Sequence, residues 1–119
     1  NAERLPFADA SLDAVTSVYL FHELPPKVRT AVADEIARVL KPGGVFVFVD
    51  SVQPQDVPEL ERYLESFPAY FHEPFYGSYS TTNLAALFRE AGLVLKGEDK
   101  AFLTKAMLFE RPICPTDPL

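Results

Sequence analysis

The sequence predicts an α/β fold on a mixed sheet, with elements in the order β-α-β-α-α-β-β. Three observations carry that prediction. One amphipathic helix pattern lies between two valine-rich strand patterns. The second of those strands is apolar at every position, as in a parallel sheet covered on both faces. Two further strand-like runs, joined by a short link, close the chain as an antiparallel pair. At 119 residues the chain has room for one compact core.

The first strand is read over about Asp13 to Leu20, in LDAVTSVYLF. Pro25-Pro26 then breaks the chain, and a proline pair suits the first turn of a helix, where amide donors are not needed. Val28, Val32, Ile36, Val39 and Leu40 form one apolar stripe along KVRTAVADEIARVL. Arg38 and Lys41 fall in its predicted last turn, where positive charge suits the helix dipole, and Pro42-Gly43-Gly44 is expected to end it. The second strand is VFVFV, residues 45–49. A short helix is expected in ELERYLESF after Pro58, and the aromatic stretch that follows, with Pro74 and Gly77, reads as a loop or flap. Ser80, Thr81 and Thr82 offer capping hydroxyls to a second helix, NLAALFREAG, ended by Gly92. The closing strands are 93–100 and 104–111. Residues 1–111 are therefore expected to form the domain, and 112–119 a flexible tail.

Charge and composition exclude some partners. The net charge is −6 and no basic cluster occurs, which disfavours nucleic acid, since phosphate binding needs a cationic stripe. No apolar run approaches the roughly 18 residues of a membrane span, so no membrane partner is expected. The single cysteine, Cys114, cannot form an internal disulfide, and a reducing cytoplasm is the natural inference. Cys114 reads as a tail residue without a role or as a reactive thiol.

In open α/β sheets, ligands bind beyond the carboxyl ends of the strands. That rule selects Ser17 to Glu23 and Asp50 to Gln53. It also bears on the sheet edge: Val15, Val18 and Leu20 are too apolar for a natural edge strand, so a neighbour in a longer protein is expected. A chain without that neighbour would bury the strand against another copy, giving a homodimer.

Taken together, LPFADASLDAVTSVYLFHEL and IARVLKPGGVFVFVDS resemble the second half of class I S-adenosylmethionine-dependent methyltransferases. The closest subgroup is the small-molecule type related to quinone biosynthesis. AERLPF, LDAV and RVLKPGG at this spacing carry the likeness, which runs from Asn1 to about Arg111. The resemblance implies a Rossmann-like three-layer α/β/α methyltransferase fold, here incomplete, with S-adenosylmethionine as cofactor of the full-length protein. It implies cofactor contacts from Asn1, Ala2 and Glu3 on the adenine side and from Ser17, Val18 and Tyr19 on the methionine side. His22 falls where the family often has histidine, whereas Glu23 departs from the second histidine common there. The family's glycine-rich loop has no counterpart in this sequence. Gly43-Gly44 cannot stand in for it, because a helix-to-strand turn lies at the wrong end of the sheet.

Methyl transfer from a sulfonium is an in-line displacement, so positioning and exclusion of water dominate. A base is needed only where the acceptor must lose a proton, and His22 is the candidate because imidazole titrates near neutrality. The plainer reading of His22 is a histidine hydrogen-bonded at the strand exit. Asp50 reads as a contact to acceptor or cofactor, or as a turn cap. Phe71 and Tyr76, among Tyr63, Phe67, Tyr70, Phe75 and Tyr79, are candidates for an apolar acceptor pocket or lid, with core packing as the alternative. No metal site is expected: His22-Glu23 and His72-Glu73 lack the second histidine, Pro26 and Tyr76 standing in its place. The resulting expectation is the C-terminal portion of a methyltransferase acting on a small-molecule acceptor and inactive by itself. A non-catalytic α/β interaction module derived from such an enzyme is the rival reading.

Overall fold

A computed structural model describes residues 2–53, 79, 82–101 and 104–113. Strand β1, Leu12–Val18, runs through a 3-10 turn, Phe21–Glu23, into helix α1, Pro26–Val39. Strand β2 spans Leu40–Ser51, and helix α2 spans Leu84–Glu90. Strands β3, Val94–Ala101, and β4, Thr104–Glu110, complete the sheet. The order is β1-β2-β4-β3, with β1 and β2 parallel and β4 antiparallel to both of its neighbours. This is the mixed sheet with a C-terminal antiparallel pair that the sequence predicts.

Several boundaries differ from expectation for local reasons. β1 stops at Val18 because Tyr19 turns into the left-handed region, at φ 52°, and its amide donates to Val49 O at 2.8 Å. α1 ends at Val39, not at Pro42, since Leu40 already pairs with Leu12. Lys41 therefore lies on β2, where its ammonium meets Asp13 at 3.3 Å. The cap of α2 is Asn83, whose side chain accepts from the Ala86 amide at 3.0 Å; the Thr82 hydroxyl accepts from Arg29 instead. Gly92 ends that helix in the left-handed region, at φ 103°. The helix predicted after Pro58, the aromatic stretch to Ser78, Ser80, Thr81 and Cys114 lie outside the described residues.

The side chains of α1 and α2 gather on one face of the sheet. Phe88 of α2 is the hub, with ring centroids 5.2 Å from Phe21, 5.0 Å from Phe46 and 4.8 Å from Phe109. Such tilted and edge-on aromatic pairs are favoured beyond the area that they bury. Val32, Ile36 and Leu40 of the predicted stripe join this core, while Val28 packs at its border. Val45, Val47 and Val49 point to the opposite face and are half-buried. Full cover on both faces, expected from VFVFV, is thus not reached among the described residues. No helix among those residues is long and apolar enough to cross a membrane.

Candidate functional site

Because β1 and β2 are parallel, their carboxyl ends open on the same side of the sheet, and the segments that follow them meet there. Asp50 is fully buried at the end of β2. Its Oδ1 is 2.8 Å from His22 Nδ1 and accepts the Ser51 amide at 2.7 Å, while Oδ2 accepts the His22 amide at 3.3 Å. A carboxylate can only accept, so Nδ1 carries a proton, and in the neutral ring Nε2 then presents a lone pair. On that side Glu23 Oε1 stands 3.9 Å from Nε2. The His22 imidazole stands edge-on to two tyrosines, Tyr19 at 6.4 Å and Tyr79 at 6.3 Å between centroids.

Beneath this pair is a layer of buried polar groups. Tyr79 donates its hydroxyl to Ser51 O at 2.6 Å, and Gln53 Nε2 donates to Tyr79 O at 2.7 Å and to Thr82 O at 2.6 Å. Lys105, opposite Asp50 in the β2–β4 ladder, donates to Gln53 Oε1 at 2.9 Å. Arg29 on α1 donates from Nε to Phe21 O at 3.0 Å and from Nη1 to Thr82 Oγ1 at 3.2 Å. Burial pulls the Arg29 pKa below its ordinary value, against the opposing influence of Tyr79 and Asp50.

A cavity of about 330 Å³ runs along β1 on the helix side. Ala2, Leu5, Ser17, Val18, Leu20 and Ile36 are among its lining residues. Ser17 is 7% exposed, and among the described residues its Oγ is the buried side-chain oxygen that has no hydrogen-bond partner. Such an orphan asks for an explanation. An apolar cleft with one unpaired hydroxyl fits the apolar middle of an adenosyl-sulfonium ligand. It does not fit that ligand's polar ends, since among the described residues its lining holds no charged side chain.

Of the residues that the sequence singles out, the structure brings His22 to Asp50 and places Ala2, Ser17 and Val18 on one cavity. Glu3 is exposed and is not among the lining residues. Tyr19 also stays off the cavity; it is 43% exposed and its hydroxyl bonds that of Thr104. Asn1, Phe71 and Tyr76 lie outside the described residues. Among the described residues no cluster of three or more His, Cys, Asp or Glu could hold a metal ion. Sequence reasoning passed over Arg29. A signal was present, because Arg29 stands three, four and seven residues before the buried Val32, Ala33 and Ile36, at the N-terminal end of the buried face.

Comparison with known proteins agrees with this architecture. Residues 1–48 match the family model of a methyltransferase domain. The chain is 43% identical over 68 residues to a fatty-acid O-methyltransferase of Mycolicibacterium smegmatis, covering 57% of this chain and 24% of that protein. It is 34% identical over 111 residues to a ubiquinone/menaquinone biosynthesis C-methyltransferase of Desulfotalea psychrophila, covering 79% of this chain and 44% of that protein. The chain thus spans less than half the length of the curated relatives that it matches. In three dimensions it is similar to a methyltransferase structure from Methanosarcina mazei, with a TM-score of 0.65 and 20% identity, over 95% of this chain and 65% of that one. At that identity the likeness speaks to the fold alone.

Proposed function

The chain belongs to the class I S-adenosylmethionine-dependent methyltransferases, and on that premise we propose that it forms the acceptor side of an enzyme methylating a small apolar or aromatic molecule. Acceptors of that kind agree with the relatives named above, a fatty-acid O-methyltransferase and a C-methyltransferase of ubiquinone/menaquinone biosynthesis. The observation that carries the proposal is the His22–Asp50 pair at the carboxyl ends of β1 and β2; the apolar cavity with its unpaired hydroxyl runs along β1 and reaches Leu20, two residues before His22.

In this reading Ala2, Ser17 and Val18 hold the cofactor's apolar middle. When bound, S-adenosylmethionine supplies a methyl group on a positively charged sulfur. Asp50 holds the imidazole by its Nδ1 proton, and His22 Nε2 takes the proton that the acceptor's oxygen, nitrogen or carbon must lose. Tyr19 and Tyr79 meet the ring edge-on and restrict its rotation, and the core beneath excludes water from that side. In the full-length protein, His22→Gln should lower kcat by about 10²- to 10⁴-fold. Affinity for S-adenosylhomocysteine should stay unchanged. A variant with unaltered kcat on an acceptor that must lose a proton overturns the base role.

A further inference from the structure

We propose that Arg29 is a positioning residue for the His22–Asp50 pair, fixing the imidazole from its backbone side and its ring side at once. The proposal rests on reading His22 as the proton acceptor. Arg29 is 1% exposed and sits on the buried face of α1. A guanidinium in a hydrophobic core is costly unless its donors are engaged, and an alkyl side chain fills the same slot without that penalty. Anchoring α1 alone would not require the contacts to converge, yet these do. Nε holds the carbonyl of Phe21, the residue before His22, and so fixes the turn that carries the imidazole. The guanidinium carbon lies 5.7 Å from the centre of the Tyr79 ring, a cation–π distance.

The same ring also reaches His22, at 6.3 Å between centroids and an interplanar angle of 73°. Tyr79 cannot drift, because its hydroxyl is tied to Ser51 O and its carbonyl to Gln53. Nη1 secures Thr82, three residues further along the same segment. The charge of Arg29 also acts on Asp50 through space. One buried cation thus bears on the turn, on the wall and on the carboxylate that define where His22 Nε2 points.

The test is nitrogen-15 NMR of histidine-labelled chain, with His22→Gln to assign the signals against His72. Wild type should show His22 protonated at Nδ1 with a slowly exchanging ring proton. Arg29→Lys keeps the charge but loses the planar fork. It should mix the two tautomers and speed ring-proton exchange about tenfold, the worth of one hydrogen bond. Tyr79→Phe keeps the ring and the tie to Gln53 but loses the tie to Ser51 O, so it should loosen His22 less than Tyr79→Leu, which removes the ring with Arg29 still present. A folded Arg29→Lys chain with wild-type His22 signals overturns the proposal. If that variant does not fold, Tyr79→Leu decides: unchanged His22 signals overturn it and a loosened ring supports it. A wild-type His22 protonated at Nε2 overturns the base reading and the proposal together. Loosening by Arg29→Lys, combined with no effect of His22→Gln on methyl transfer, leaves the positioning and removes only the base role.

Discussion

Gly44 has no room for a side chain. A Cβ there would lie 2.8 Å from Lys41 O and 3.1 Å from Asp13 O, both backbone atoms that cannot swing aside. Gly43 before it has φ 85°, where L side chains are strained. Gly44→Ala should therefore destabilise the chain by about 1–3 kcal/mol in urea unfolding, the usual range for overpacking. A loss within measurement error would show that the β1–β2 entry gives way more easily than its geometry indicates. This glycine pair was legible as structural, because it follows a helix pattern and precedes a strand. The pairing of His22 with Asp50 was not. Each residue stood out alone, but they are 28 positions apart, and only the parallel register that sets Val18 beside Val49 brings them together.

Helix α1 carries a second device on its exposed side. Glu35 accepts the Leu5 amide at 2.8 Å, and Arg38 binds Glu35 at 2.6 Å, Asp9 at 2.7 Å and Leu5 O at 3.2 Å. These contacts clamp the segment that brings Ala2 and Leu5 to the cavity. The Arg38 hydrogen bonds, and then the Leu5 amide, pull the Glu35 pKa from its ordinary 4.5 down to about 2. Between those values the unfolded chain binds more protons than the folded one, so stability rises with pH there. The contribution of Glu35 is complete above about 4.5 and is lost as pH falls through about 2. Unfolding of Glu35→Gln and wild type across that window should show a difference that shrinks towards low pH. A difference independent of pH would mean that the carboxylate charge is not what clamps Leu5. The helix itself was legible from its stripe. The clamp was not, since its partners lie about thirty residues away and share no periodicity with it.

At the scale of the whole molecule the two sheet edges differ. β3 carries Lys96, Glu98, Asp99 and Lys100 with a bulge between Leu95 and Gly97, which are devices that discourage pairing. β1 carries one charge, Asp13, and leaves Val18 62% exposed. The 119-residue chain alone is therefore expected to run as a homodimer in light scattering at high concentration; a clean monomer counts against this. Its cavity wall lacks groups for the cofactor's polar ends, so calorimetry with S-adenosylhomocysteine should give little heat. A micromolar dissociation constant would overturn that expectation. The sequence by itself determined the βαβ unit, the antiparallel closing pair and the family, because periodicity and short motifs are local in the chain; the glycine pair expected to end the helix lies within β2 instead. Only the tertiary structure decided that Asp50 holds His22, that Arg29 reaches the Phe21 carbonyl and the Tyr79 ring, and that Ser17 Oγ is buried with no partner among the described residues. Those facts depend on strand register and on which face each side chain takes, and both are settled by packing across the sheet.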